Sequence, residues 1–141
     1  QRARDTLHRI CDMAEASGQV FTLENLNPID HPGCPFGSTS AVLGLVSAVN
    51  RPQWRINLDL YHTQIGEGDL IRWCQACLPW IGEVQVADNP GRCEPGTGEI
   101  NYHGVAKALK AMGYSGPVGL ESFAQGDAEA ALTAFRAAFT V

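Results

Sequence analysis

The sequence predicts an α/β fold of four parallel strand–helix units, half of a TIM (β/α)8 barrel, and three observations carry that prediction. Short apolar strand patterns alternate with helical ones along the whole chain, which is the grammar of a parallel sheet. Polar residues Glu24, Asp59, Gln85 and Glu121 stand near the ends of successive strands at intervals of 35, 26 and 36 residues. A (β/α)8 barrel spends roughly 31 residues per unit, so the intervals match. No strand is followed by GxGxxG, which weakens the competing doubly wound, nucleotide-binding fold. Residues 1–141 are read as one domain.

Arg2 to Ala16 carries Leu7, Ile10, Cys11 and Ala14 at helical spacing, and Ser17 and Gly18 end that helix. The chain starts inside this helix without Met, so it is expected to be part of something longer. QVFTLENLN reads as the first strand, closed by Asn27 and Pro28, and HPGCPFGST is a loop delivering Ser38 or Thr39 as a helix cap. Ala41 to Val49 is an apolar helix for packing on a sheet, stopped by Asn50, Arg51 and Pro52. WRINLDLYH is expected to be a strand through His62, with Trp54, Ile56, Leu58 and Leu60 on one face and Asn57, Asp59 and Tyr61 on the other. Glu67, Gly68 and Asp69 then open one helix that runs through Cys77 to Pro79. IGEVQVAD is the third strand, broken by Asn89, Pro90 and Gly91, and a loop holding Arg92, Glu94 and Glu99 leads to a helix from Tyr102 to Met112. SGPVGLESF supplies the fourth strand, and Asp127 caps an alanine-rich helix ending at Phe139.

Composition narrows the function. With 45% hydrophobic and 18% charged residues the chain has enough apolar side chains for a packed core and is not a disordered segment. A net charge of −5, with no basic run, argues against nucleic acid or an anionic membrane as the partner. No apolar run approaches the roughly 20 residues that span a bilayer, and the start has no signal-peptide core, so a cytoplasmic address is expected. Five cysteines without framework spacing are expected as free thiols; Cys74 and Cys77 lie in a helical pattern without a second pair and are read as structural.

Three carboxylates and one amide projecting from one rim of a sheet make an oxygen-rich cage for a divalent cation, and these donors suit Mg2+ or Mn2+ better than zinc. Glu24, Asp59, Gln85 and Glu121 are the candidate ligands. Such an ion polarises a carbonyl and the neighbouring hydroxyl, which eases loss of a proton from carbon. Glu24 and Glu121, on the first and last strands, are expected to face each other across the ion and to remove and return that proton. Arg92 is the candidate for holding a substrate carboxylate, and His62 for hydrogen-bonding the oxygen where enediolate charge develops. Glu94 and Glu99 are candidates for outer supports that orient Arg92 or the ligands. Each residue has a plainer reading: a cap at a strand end, a surface histidine at His62, a solvated ion pair of Arg92 with Glu94 or Asp88. Four polar residues in one series shift the weight toward a site, and Glu121 most of all, because a carboxylate after PVGL needs a partner. His8, His31 and His103 are read as plain surface or packing residues, and the three tryptophans as packing.

LENLN, LDLYHTQIGEGDL, VQVADNPGRCEPGTGEINY and GLESF resemble, in order and spacing, the second half of the hydroxypyruvate isomerase family within the xylose-isomerase-like barrel superfamily. The likeness covers nearly the whole chain, and ADNPGRCEPGTGEINY is its most specific part. It implies the C-terminal half of a TIM barrel and an isomerase interconverting hydroxypyruvate and tartronate semialdehyde, both small hydroxy or oxo acids. It also implies metal ligation by Glu24, Asp59, Gln85 and Glu121, proton transfer by the two glutamates, and substrate contact by His62 and Arg92. Gln85 stands where many superfamily relatives have histidine, which bears on the identity of the ion.

Members of that family carry a full barrel, whereas a half barrel exposes two edge strands and its interior. A truncated piece, a companion chain or pairing of two halves, including a homo-oligomer, is therefore expected. The rival readings are a related ketose or sugar-acid isomerase or epimerase, a non-catalytic half-barrel module, and an endonuclease-like hydrolase of the same superfamily. The last would need several metals and a basic surface, against which four histidines and the negative charge speak.

Overall fold

The computed structural model describes residues 2–141. Helix α1 (Arg2–Ser17) leads into β1 (Phe21–Glu24), α2 (Thr39–Val49), β2 (Trp54–Asp59), α3 (Leu60–Gly66) and α4 (Leu70–Cys77). After a short 3-10 turn come β3 (Ile81–Val86), α5 (Tyr102–Ala111), β4 (Val118–Leu120) and α6 (Ala128–Phe139). The caps read from the sequence form: Ser38 accepts from the Ala41 N–H at the start of α2, and Asp127 from the Ala130 N–H at the start of α6.

The four strands pair in parallel in the order β1-β2-β3-β4. Order follows sequence without reversal, which is the wall of a (β/α) barrel; a doubly wound sheet would change direction at a switch point. Period-two alternation sorts the side chains. Ile56, Leu58, Val84 and Val86 bury themselves against Val42, Val46 and Val49 of α2, Cys74 and Cys77 of α4, and Val105 and Leu109 of α5. The opposite face is polar and carries Thr22, Glu24, Arg55, Asn57, Asp59, Glu83, Gln85 and Glu121. Gly82 permits a register shift between β2 and β3: a Cβ there would lie 2.8 Å from both Arg55 Cβ and Thr22 Cγ2.

Two expectations need correction. The second strand stops at Asp59 instead of running through His62, because the Asp59 carboxylate accepts the His62 N–H at 3.0 Å and starts α3 without a loop. Leu60, Tyr61 and His62 instead form the first turn of a helix, and its first four residues, Leu60 to Thr63, are all buried. The helix expected to open at Glu67, Gly68 and Asp69 and run through Cys77 forms as α4, and Gly68 at φ +67° and Asp69 at φ +50°, both left-handed, separate it from α3. The first strand is also shorter than expected. Past Glu24 the Asn25 side chain takes over the pairing, accepting from the Asp59 N–H and donating to the Asp59 carbonyl, both at 3.0 Å.

All five cysteines are free thiols, and burial pushes Cys74 and Cys77 up to about 12, which keeps them inert packing groups. No helix among the described residues is long and apolar enough to cross a membrane.

Candidate active site

The carboxyl ends of the four strands bring polar groups together at one rim, where ligand groups of parallel α/β folds collect. Glu24 ends β1, Asp59 ends β2, Gln85 lies in register with Asp59 on β3, and Glu121 follows β4, its N–H held by the Val86 carbonyl at 3.0 Å. Donor atoms of Glu24, Asp59 and His62 lie within 4.8 Å of one another. His62 Nε2 stands 3.5 Å from Glu24 Oε1 and 3.8 Å from Asp59 Oδ2, a placement made by the turn of α3 that Asp59 itself caps. Gln85 Oε1 accepts from Asn57 Nδ2 at 2.7 Å, which aims its carbonyl along the polar face.

Arg92 ties the far side of the cluster to the near side. Its Nη2 lies 2.6 Å from Glu121 Oε2 and 3.6 Å from Asp59 Oδ2, and its guanidinium carbon sits 4.9 Å from the centre of the Tyr61 ring. The loop that delivers it is fastened by Asp88, which is fully buried and accepts from the backbone N–H groups of Asn89, Gly96 and Ile100. Gly98 closes the loop, because a Cβ there would lie 2.3 Å from the Asn89 carbonyl oxygen and 2.6 Å from Asp88 Oδ1. Arg92 itself is left-handed at φ +53°, and its carbonyl accepts the Phe123 N–H at 2.9 Å, joining this loop to the one after β4. Arg92, Glu121, Ser122 and Phe123 line a pocket of about 280 Å³.

Burial sets the protonation states. It pushes the Asp59 carboxyl up to about 7, against the His62 N–H and the Arg92 charge, which favour the carboxylate. Burial, then the Glu121 charge, raises Glu24 above its ordinary value. Burial, then the Arg92 charge, lowers His62 to about 4, so near neutral pH the imidazole is uncharged and its contacts with the two carboxylates are not ion pairs. A buried carboxylate this reluctant to ionise fits a site built for a cation, and Glu24, Asp59 and His62 are the residues whose donor atoms lie close enough together to share one.

Glu94 and Glu99 reach other groups than those expected. Glu94 accepts the Gln125 N–H at 2.9 Å, and Glu99 accepts from Gln64 and Asn89, each at 3.1 Å, so they brace loops and neither hydrogen-bonds Arg92 or the strand-end carboxylates. The plain pairing of Arg92 with Glu94 or Asp88 does not form either; Glu121 and Asp59 are its partners among the described residues. Asn25, Asn27, Thr39, Thr63 and Asp88 are buried polar residues to which pattern reading assigned no part in the site. The signal available for them was polarity immediately after a strand, in LENLN and in VAD before Asn89.

The profile of the Xylose isomerase-like TIM barrel family matches residues 1–138. The chain belongs to this family. It is 36% identical over 128 residues to the hydroxypyruvate isomerase of Escherichia coli K12, covering 91% of this chain and 50% of that protein. Among solved structures it superposes on a protein described as AP endonuclease, family 2, from Brucella melitensis, with a TM-score of 0.88, 35% identity, and coverage of 95% of this chain and 52% of the other. It also superposes on a 3-keto-D-glucoside 4-epimerase from E. coli, with a TM-score of 0.83, 26% identity, and coverage of 98% and 52%. The chain thus spans about half the length of the curated relatives it matches, and within the family's barrel its four parallel strands make half of the wall.

Proposed function

We propose that this chain carries the metal-binding and proton-transfer half of an isomerase that interconverts hydroxypyruvate and tartronate semialdehyde. The observation that carries the reading is the convergence of Glu24, Asp59 and Glu121 around His62 and Arg92 at one rim of the sheet. The named relative supports the substrate, and Arg92 supports an acidic one, since a guanidinium at the mouth pairs with a planar carboxylate.

Glu24, Asp59, Gln85 and Glu121 would hold Mg2+ or Mn2+. When bound, the ion supplies Lewis-acid polarisation of the substrate carbonyl and its neighbouring hydroxyl. One glutamate of the pair Glu24 and Glu121 removes a proton from the hydroxymethyl carbon of hydroxypyruvate, leaving an enediolate across that carbon and the former carbonyl carbon. The other glutamate returns a proton to the former carbonyl carbon. A hydroxyl proton passes between the two oxygens, and tartronate semialdehyde results. Burial, then the Glu121 charge, raises the Glu24 carboxyl, the direction that makes it a better proton acceptor. His62 faces the developing charge through Nε2, and Arg92 anchors the spectator carboxylate.

The test is conversion of hydroxypyruvate by the intact protein with and without Mg2+. Glu24→Gln should lower turnover by about 100-fold or more with an unchanged circular dichroism spectrum; full activity in that variant would remove Glu24 from the proton path. A sugar epimerase is the second reading, favoured by the likeness to the 3-keto-D-glucoside epimerase, and faster turnover of neutral ketoses than of hydroxypyruvate would select it.

A further inference from the structure

His62 Nε2 is buried, faces Glu24 and Asp59, and has no hydrogen-bond partner among the described residues. Whether that nitrogen carries a proton or a lone pair decides what it can do: a lone pair can ligate a cation, and an N–H can only donate. The answer lies on the other side of the ring. Nδ1 is 2.6 Å from Asn27 Nδ2, and Asn27 is itself fully buried. The orientation of that amide is not ambiguous, because Asn27 Oδ1 accepts two backbone N–H groups, from Ile29 at 3.0 Å and from Asp30 at 2.8 Å. Nδ2 therefore faces outward with two hydrogens, one given to Asp30 Oδ2 at 2.9 Å and the other to His62 Nδ1. Asp30 is held in turn by the Tyr61 hydroxyl at 3.0 Å. Nδ1 must accept, so the ring hydrogen is on Nε2.

We propose that Asn27 is a positioning residue that locks His62 in the Nε2–H form, making it a hydrogen-bond donor to the substrate oxygen and barring it from the metal. The grouping of Glu24, Asp59 and His62 by distance is then not a ligand triad; the ion falls to the oxygen donors. The hydrogen-bond assignment stands by itself, and its bearing on turnover rests on the isomerase reading above. A fixed donor needs no reorganisation as charge grows on the substrate, which is where such a group contributes most.

Exchanging the two partners inverts the lock while conserving charge and shape: in the double variant Asn27→Asp, Asp30→Asn the carboxylate at position 27 accepts from Nδ1, and Nε2 is left with a lone pair. Long-range 1H–15N spectra of the intact protein read the ring directly, with the His62 signals assigned as those lost in His62→Gln. The unsubstituted protein should show a pyridine-type Nδ1 and a pyrrole-type Nε2, and the exchanged pair the reverse. Calorimetry should show Zn2+ affinity rising relative to Mg2+ in the exchanged pair, because an imidazole nitrogen has joined the ligand set. Its kcat should fall on the order of 10-fold or more with little change in KM. A protonated Nδ1 in the unsubstituted protein overturns the proposal whether or not the variant folds, and so does an unchanged tautomer in a folded exchanged pair. The predicted tautomers without any isomerisation of hydroxypyruvate would uphold the lock and overturn the substrate reading instead.

Discussion

Asp59 is a carboxylate of the candidate site held where its charged form is disfavoured. It ends β2, caps α3, and is buried at 1% exposure beside two other carboxylates. Its folded-state pKa, raised to about 7 from 3.8, means the folded chain holds its proton more tightly than the unfolded chain between those values. Its contribution to stability is therefore fully present below about 4 and is lost as pH rises through about 7. His62, lowered to about 4, acts in the opposite sense below its ordinary value, so the comparison that isolates Asp59 is between variants. Asp59→Asn keeps an oxygen for the cap and should be the more stable protein at pH 8 in chelator, by about 1–4 kcal/mol in urea unfolding, with the difference vanishing near pH 4. A gap that does not depend on pH would mean that burial is not what raises this carboxyl. At the same scale, Arg92→Ala should raise the KM for hydroxypyruvate about 10-fold or more while leaving neutral sugars little affected, in steady-state assays across both substrate classes. Equal effects would assign Arg92 to holding Glu121 alone.

The elements explain why these side chains reach one another. A strand that becomes a helix at Asp59 without a connecting loop puts His62 back over the strand end it came from, three residues and one turn later. The loop after β3 carries Arg92 across to Glu121 because Asp88 holds three of its backbone N–H groups and Gly98 lets the chain pass against Asn89. Gly98→Ala should force this loop open, since the added carbon meets backbone 2.3 Å away and the backbone cannot yield as a flexible side chain would. Proteolysis between Asn89 and Glu99 should speed up and turnover should drop by about 10-fold or more, while the thermal midpoint moves by only a few degrees. An unchanged cleavage pattern would show that the close approach is not needed. That strands end in polar residues was legible in the sequence, whereas the start of α3 was not, because Leu60 continues the two-residue alternation until the Asp59 cap overrides it.

At the scale of the whole molecule, a four-stranded parallel wall keeps its helices on one face and leaves the other face polar, and that polar face is the interior of the barrel to which the family belongs. Edge strands β1 and β4 carry the two glutamates of the proposed proton relay, so the relay spans the full width of the sheet. The Glu121 charge still reaches Glu24 across it and helps to raise its pKa. Titrating the intact protein with Mn2+ by calorimetry should give one site per chain, and Glu121→Gln should weaken it by about 10-fold or more with the fold retained. Binding that survives this change would move the ion away from β4.

Four parallel strand–helix units, their spacing, and the polar residue at the end of each were determined by the sequence alone, because period-two and helical alternation and turn residues are local properties of the chain. The assignment of partners waited for the tertiary structure. Arg92 meets Glu121 and Asp59, not its neighbours Glu94 and Asp88, and Asn27 meets His62 across 35 residues. Those pairings come from the register of adjacent strands and the path of two loops, and no local pattern encodes them, because the hydrogen bonds that select one partner over another exist only once the sheet has formed.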